Sequence, residues 1–274
     1  MTDKYAVIGN PIAHSKSPEI HTMFAEQFKG KPAGDMVYKD RILAPLDGFA
    51  ATVERLRKES YKGCNVTVPF KFEALQLSTR LIGRAQVARA VNTLKFEGNA
   101  ILGDNTDGFG LVRDITKNLG FDIVGKHVLL MGAGGAAHGV AQPLFDINAN
   151  LAVVNRTVEK AQRMTAAFDK QHQATVHTYE ELVGQRFDVV INATSSGLAD
   201  EMPALPPGIF APGALAYEMM YGRETPFMKF ASANGAAVVS DGFGMLVEQA
   251  AESFFIWRGV RPETAPVIAA LRNR

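Results

Sequence analysis

Val128-Leu129-Leu130-Met131 runs straight into Gly132-Ala133-Gly134-Gly135-Ala136-Ala137, and this junction limits the fold more than any other segment. A short apolar run bounded by glycine reads as a buried strand, and the small residues after it open a helix from 136. Gly132 and Gly134 hold the first two positions of the spaced-glycine pattern that joins such a strand to such a helix, with Ala137 at the third. That turn lets the backbone approach a pyrophosphate, and the helix N-terminus faces the negative charge. The next apolar run, Leu151-Ala152-Val153-Val154, ends in Asn155-Arg156-Thr157. It lies about 20 residues on, where a site for an unmodified ribose places an acid against the 2′-hydroxyl. An arginine stands there instead. A guanidinium grips a 2′-phosphate with a planar fork, whereas an acid would repel it. The two segments predict a dinucleotide site that prefers NADP over NAD. Taken singly, the glycines would also serve strand–helix packing, and Arg156 a solvated surface.

The chain has 274 residues, enough for one large or two modest domains. Its 29 basic and 28 acidic side chains nearly cancel, which argues against nucleic acid or an acidic membrane as the main partner. Cys64 is the only cysteine, so an intramolecular disulfide and a Cys-rich metal site are excluded. No His or Asn stands beside it in a telling motif, and it reads as a small packing residue rather than a nucleophile. The six histidines lack HExxH or comparable spacing, and no metal is expected. Met1 to Gly9 reads as a short strand, not a leader, and no apolar run approaches the ~20 residues of a membrane span. A cytoplasmic protein is expected.

Strands and helices alternate along the chain. Strands are read at 5–9, 36–38, 64–68, 128–131, 151–154, 187–191, 214–217 and 237–240, with a hairpin of 92–96 and 100–102 around Glu97-Gly98-Asn99. Helical spacing appears in Ile20, Phe24 and Phe28, in Leu46, Phe49, Val53 and Leu56, and in Leu111, Ile115 and Leu119. It recurs in Val158, Ala161, Met164 and Phe168, and in Leu246, Ala250, Phe254 and Trp257; further helices are read near 70, over 225–234 and over 262–271. A proline-rich loop spans 202–212. The alternation predicts an α/β fold with parallel sheets. The expected division is a first α/β domain over 1–108, completed by 243–274, and a Rossmann-like doubly wound domain over 109–242.

Four segments of the first part are more polar than their positions require. In His14-Ser15-Lys16-Ser17-Pro18, Ser17 makes a good N-cap with Pro18 as the first helical residue. A cap explains Ser17 but not Ser15, and two hydroxyls at a helix N-terminus can seat a carboxylate. In Asn65-Val66-Thr67-Val68-Pro69-Phe70-Lys71, Asn65 and Thr67 share one strand face, and Lys71 opens a helix whose dipole it opposes. Val91-Asn92-Thr93 brings an amide into a strand, and Gly103-Asp104-Asn105-Thr106-Asp107-Gly108 lies at a strand-to-helix junction, where Asp107 would also serve as an ordinary N-cap. Together these groups gather at strand ends, where open α/β sheets bind ligands, and supply a lysine and an aspartate suited to proton transfer.

At this point the chain closely resembles the shikimate dehydrogenase family. The four polar segments carry the resemblance, together with Gly9 to Pro18, Gly132 to Ala136, Asn155 to Thr157, Asn192-Ala193-Thr194-Ser195-Ser196-Gly197, Met220-Tyr221, Thr225-Pro226-Phe227 and Asp241 to Leu246, all in family order. The resemblance implies NADPH-dependent reduction of 3-dehydroshikimate to shikimate, on the route to aromatic amino acids. It implies that Ser15 and Ser17 hold the substrate carboxylate, and that Asn65, Thr67, Lys71, Asn92, Asp107 and Gln249 surround the ring hydroxyls. Tyr221 is expected to contact substrate from the nucleotide domain. Lys71 and Asp107 form the catalytic pair. For NADP it implies Gly132, Ala133, Gly134, Gly135 and Ala136 at the pyrophosphate, Asn155, Arg156, Thr157 and Lys160 at the adenosine end, Met219 and Gly242 toward the nicotinamide, and Thr194 as a further cofactor contact. A homodimer is left open. Three positions depart from the family pattern. Glu218 replaces an aspartate, Lys160 replaces a second arginine and so loses its fork, and Gly83 stands where an acid near the cofactor is common.

Two rivals are weighed. An NAD-dependent quinate/shikimate dehydrogenase would carry an acid near the adenosine ribose, which Asn155-Arg156-Thr157 lacks. A non-catalytic NADP sensor on the same fold would have no need of both Lys71 and Asp107. The arginine generates a direct test. Charge-assisted contacts are worth about 1.5–3 kcal/mol, so Arg156→Gln is expected to weaken NADP roughly 10- to 100-fold while NAD binding barely changes. Titrating both cofactors against the variant checks this, and equal losses would remove Arg156 from the 2′-phosphate.

Overall fold

The computed structural model describes residues 2–167, 174–194, 201–202 and 204–272. The chain divides into two compact units, residues 1–110 with 246–274 and residues 111–245. In chain order its opening elements are β1 (Asp3–Gly9), α1 (Ser17–Gln27), β2 (Met36–Leu43), α2 (Phe49–Lys58), β3 (Tyr61–Val66), α3 (Lys71–Leu77), β4 (Arg80–Leu81), α4 (Gly83–Ala88), β5 (Thr93–Glu97), β6 (Ala100–Asp104) and α5 (Asp107–Arg113). Then come β7 (His127–Met131), α6 (Gly135–Asp146), β8 (Asn150–Val154), α7 (Val158–Thr165), β9 (Thr175–His177), β10 (Phe187–Asn192) and β11 (Phe210–Glu218). The last are α8 (Pro226–Ala233), β12 (Val238–Ser240), α9 (Phe243–Arg258) and α10 (Ala265–Arg272).

The first unit holds a six-stranded sheet in the order β2-β1-β3-β5-β6-β4. β1 runs parallel to β2 and β3, but β5 runs antiparallel to both β3 and β6. The expectation of parallel sheets throughout is therefore corrected. The two residues between β5 and β6 include Gly98 at φ +58°, and so short a link reverses the chain, whereas a parallel partner needs a long crossover. On one side of the sheet Ala6, Ile8, Cys64, Val66 and Leu94 pack with Phe49, Val53, Leu56 and Phe70. On the other, Trp257 of α9 stacks on Tyr5 at 4.6 Å between ring centres and donates its indole N–H to the Leu94 carbonyl at 3.0 Å. That contact brings the C-terminal helix back onto the N-terminal sheet.

Several local expectations fail for identifiable reasons. Helix α2 starts at Phe49, leaving Leu46 outside it and 68% exposed. Ser17 is not an N-cap: α1 begins at Ser17 itself, with Lys16 before it and no side-chain cap. Phe28 ends α1 rather than extending it. Asp107 lies inside α5 as its first residue, not ahead of it.

The second unit is a six-stranded sheet in the order β12-β11-β10-β7-β8-β9, parallel throughout. Counted from β7 this is the doubly wound order 3-2-1-4-5-6, whose direction of winding reverses between β7 and β10. Strand β11 starts at Phe210, inside the stretch expected to be a loop. Phe187 pairs with Phe210 but Val189 with Leu215, so the register jump leaves Pro212 and Gly213 (φ +82°) out of the ladder. A bulge is where a sheet tolerates proline. Phe168, Ser195, Ser196 and Gly197 lie outside the described residues. Among the described residues, no helix is long and apolar enough to cross a membrane.

Candidate active site

The polar residues of the first unit converge at the ends of β3, β5 and β6. Lys71 opens α3 and Asp107 opens α5, and Lys71 Nζ donates to Asp107 Oδ2 at 2.5 Å. Only 15% of the lysine side chain and 8% of the aspartate are exposed. The main chain helps to place the pair, since the Val91 N–H donates to the Lys71 carbonyl at 2.9 Å. Asn92, just before β5, donates from Nδ2 to Asp107 Oδ1 at 2.8 Å. The carboxylate thus has a distinct partner on each oxygen. Gln249 of α9 joins from the C-terminal helix, its Oε1 accepting from Asn92 Nδ2 and Thr106 Oγ1, each at 3.3 Å.

Asn65, near the end of β3, is as buried as Asp107. Its Oδ1 accepts from Tyr38 Oη at 2.9 Å, and its Nδ2 donates to Ser253 Oγ at 3.0 Å. Ser15 Oγ donates to Ser17 Oγ at 3.2 Å and accepts from the Ser17 N–H at 3.3 Å, so both hydroxyls sit together at the start of α1. Arg41 clamps this turn, with Nε on the Ser15 carbonyl at 2.7 Å and Nη2 on Glu19 at 2.6 Å. Thr67 follows β3, half-buried, with its N–H donating to the Ile8 carbonyl at 2.9 Å.

The pattern of the sequence does not reveal Tyr38, His21, Thr93, Thr106 or Ser253, all buried in this network. Thr93 and Thr106 fall within polar segments already singled out but carry no assigned role there, and no local motif marks Tyr38, His21 or Ser253. Burial holds the Tyr38 phenol well above its usual range, so it acts as a neutral donor. His21 stacks on Tyr38 at 4.4 Å, and burial lowers its pKa to about 3. Its ring is therefore neutral. Nε2, 3.2 Å from Asn65 Oδ1, carries the proton in the tautomer that makes this bond. A second missed group is ionic. Arg84 grips Asp104 with Nε at 2.8 Å and Nη2 at 2.5 Å and reaches Glu252 at 3.0 Å, and Arg261 bridges Glu252 at 2.6 Å and Glu248 at 2.8 Å. This network ties α9 to the end of β6, two residues before Thr106. Cys64 is buried and its thiol pushed up by desolvation, in keeping with packing rather than nucleophilic chemistry.

The second unit places its candidates at the carboxyl ends of its strands. Gly132 leaves β7 at φ +112°, a backbone angle closed to most side chains, and a Cβ there would press on the Ala193 carbonyl at 3.1 Å. Ala133 and Gly134 follow, and α6 begins with Gly135 and Ala136. At Gly134 a Cβ would meet nothing within 4 Å, so the space before the helix N-terminus is open. This arrangement fits a pyrophosphate. Asn155, Arg156, Thr157 and Lys160 surround the end of β8 and the start of α7; Arg156, Thr157 and Lys160 are exposed, and Asn155 Nδ2 donates to the Thr157 carbonyl at 2.7 Å. Two exposed cations, with Arg156 rather than an acid at the strand end and Glu159 as the one acid between them, fit a phosphorylated ribose.

The nicotinamide-side candidates meet at Glu218, which ends β11. Its Oε2 accepts from Asn192 at 2.8 Å and Thr225 at 2.9 Å, and its Oε1 from the Met220 N–H at 3.0 Å. Burial raises its pKa, and these donors oppose the rise. Asn192 Oδ1 in turn accepts from Thr194 Oγ1 at 2.7 Å. A Cβ on Gly242 would lie 2.3 Å from the Met219 carbonyl, so only glycine allows these two segments their approach. Tyr221 follows on the same loop, its ring 6.2 Å from Phe243.

A doubly wound parallel sheet with this turn belongs to the dinucleotide-dependent α/β proteins, and a part-buried lysine–aspartate pair suits an oxidoreductase that moves a proton beside a hydride. Known proteins narrow the class. Residues 7–94 match the shikimate dehydrogenase substrate binding domain, residues 114–199 the shikimate / quinate 5-dehydrogenase family, and residues 242–272 the shikimate 5'-dehydrogenase C-terminal domain. The chain is 57% identical over 272 residues to the shikimate dehydrogenase (NADP(+)) of Methylobacillus flagellatus, covering 98% of this chain and 99% of that one. Among solved structures, an Ael1 enzyme from Pseudomonas putida has a TM-score of 0.88 at 46% identity, covering 98% of each chain. Shikimate 5-dehydrogenase from Thermus thermophilus, in complex with NADP(H) and shikimate, has a TM-score of 0.85 at 29% identity, covering 99% of each chain. The chain belongs to the shikimate dehydrogenase family.

The buried histidine makes stability depend on pH. Its folded pKa of about 3 lies below the ordinary 6.5, so between those values the unfolded chain holds a proton that the native chain does not. Stability is therefore lost as pH falls below 6.5, approaching about 1.4 kcal/mol per pH unit from this one group. His21→Phe cannot take up that proton. Urea unfolding between about pH 7 and pH 5 is expected to show a flatter decline for the variant than for the parent, and equal declines would contradict a neutral buried His21.

Proposed function

We infer that the chain catalyses the reversible NADPH-dependent reduction of 3-dehydroshikimate to shikimate, in the biosynthesis of aromatic amino acids. The observation that carries the reading is the Lys71–Asp107 pair, held by Asn92 at the strand ends of the first unit. The enzyme is proposed to work in the cytoplasm, as a monomer or a homodimer. NADPH, when bound, supplies the hydride. The Gly132–Ala136 turn and the N-terminus of α6 are assigned to its pyrophosphate, Arg156 and Lys160 with Asn155 and Thr157 to the 2′-phosphate end, and Thr194, Met219 and Gly242 to the nicotinamide end.

In the first unit, Ser15 and Ser17 are assigned to the substrate carboxylate. Two neutral hydroxyls at a helix N-terminus can each turn a proton toward an anion. Asn65, Thr67, Asn92, Lys71, Asp107 and Gln249 are assigned to the ring oxygens, with Tyr221 as a further substrate contact. As the ketone oxygen gains negative charge, the Lys71 ammonium stabilises it and then donates its proton, leaving a hydroxyl on the product and a neutral amine. Asp107 keeps the lysine aimed and accepts from a neighbouring hydroxyl. For shikimate oxidation the same amine, deprotonated, takes the hydroxyl proton.

Lys71 acts most strongly at the transition state, so its loss appears in turnover more than in binding. Lys71→Met keeps most of the bulk and removes the charge. It is expected to lower kcat for shikimate oxidation by at least about 10²-fold, with equilibrium shikimate affinity changed only a few-fold. The absorbance of the reduced cofactor, followed as NADP is consumed, reads the rate. A folded variant that oxidises shikimate within about tenfold of the parent would remove Lys71 from the chemistry.

A further inference from the structure

The residues assigned to the substrate do not stand alone. A line of hydrogen bonds with one sense of donation joins them through the interior of the first unit. Tyr38 Oη donates to Asn65 Oδ1 at 2.9 Å, and Asn65 Nδ2 donates to Ser253 Oγ at 3.0 Å. Ser253 Oγ and Thr93 Oγ1 are 2.7 Å apart, and Thr93 Oγ1 lies 2.9 Å from Asn92 Oδ1, to which it donates. A threonine hydroxyl has one proton, so with that proton on Asn92 the Ser253 hydroxyl is the donor toward Thr93, a nearer acceptor than the Gln249 carbonyl at 3.1 Å. Asn92 Nδ2 then donates to Asp107 Oδ1 at 2.8 Å, and Lys71 donates to the other oxygen.

Asn92 is the critical link because its amide has two faces. With Oδ1 toward Thr93 and the Thr106 N–H, which donates to it at 2.9 Å, Nδ2 faces Asp107. Rotated by half a turn, the amide would set an oxygen against the carboxylate and an NH₂ against an N–H. Thr93 is fully buried and touches Asn92, Asn65 and Ser253 at once. The Thr106 N–H, which can only donate, and the Asp107 carboxylate, which can only accept, set which way the amide faces, and the Thr93 hydroxyl adds a second donor on Oδ1 that its methyl group could not supply.

Building on the shikimate dehydrogenase reading, we propose that Thr93 is a positioning residue: its hydroxyl fixes the Asn92 amide so that Asp107 stays aligned with Lys71. Thr93 acts through Asn92 and does not touch substrate.

The test uses the full chain with shikimate and NADP, comparing the parent with Thr93→Val and Thr93→Ser. Valine keeps the shape and removes the hydroxyl, and serine keeps the hydroxyl. Small misplacements of a catalytic group cost up to about 10²-fold, so Thr93→Val is expected to lose between about 10- and 100-fold in kcat. KM for shikimate should stay within about threefold, and Thr93→Ser should return to within about threefold of the parent kcat. If Thr93→Val does not fold, Thr93→Cys, with similar volume and a weak donor, should still lose at least about threefold in kcat with KM kept. A Thr93→Val enzyme, or that cysteine replacement, with parental kcat would overturn the positioning role while leaving the function intact. So would a Thr93→Ser enzyme as slow as Thr93→Val. A parent that does not reduce NADP with shikimate would overturn the functional reading itself.

Discussion

A lysine and an aspartate in contact at 2.5 Å, both largely withdrawn from water, are costly to assemble and hard to hold. Desolvation opposes the pair, and Lys71 adds an unfavourable charge to the first turn of α3. The surrounding structure supplies what offsets this. Asn92 donates to the second carboxylate oxygen, the Asp107 N–H donates to Asn105 Oδ1 at 3.1 Å, and Asn105 is itself tied to the Ala90 carbonyl at 3.0 Å. Ends of β5 and β6 are thereby locked to the starts of α3 and α5. A hairpin with antiparallel pairing in an otherwise parallel sheet makes this possible, because it brings Asn92 and Asp107 side by side from adjacent strands.

Helix α9 completes the arrangement from the far end of the chain. Trp257 anchors it to β5 through the Leu94 carbonyl, while Arg84 and Arg261 tie Glu252 and Glu248 to the Asp104 end of β6. Between those anchors Gln249 and Ser253 face Asn92, Thr106 and Thr93. In the second unit a comparable part falls to Glu218. One buried carboxylate collects donors from β10, from the following loop and from Thr225, the N-cap of α8. Its extra methylene relative to aspartate leaves those contacts formed.

The nucleotide unit was legible because its signals are local: four apolar residues, a glycine turn and a second strand at fixed distance. The same locality exposed Lys71 and Asp107, each a charged residue at a strand-to-helix junction. The supporting residues were hidden for the opposite reason. Thr93 and Ser253 are 160 positions apart, and nothing beside either one announces a partner. Ser17 misled because a serine before a proline is a common cap, yet the chain enters the helix one residue earlier and leaves the serine hydroxyl beside Ser15. Leu46 misled because the helical spacing begins one turn ahead of the helix, on an exposed loop.

The central claim is that Lys71 and Asp107 work as one device rather than as two independent contributors. A double-mutant cycle on kcat for shikimate oxidation, with Lys71→Met, Asp107→Asn and the combination, tests it most directly. Groups that act as a unit are not additive, so the double variant should be within a few-fold of the slower single variant. Losses that multiply, each replacement costing the same factor whether or not the other is present, would contradict the account.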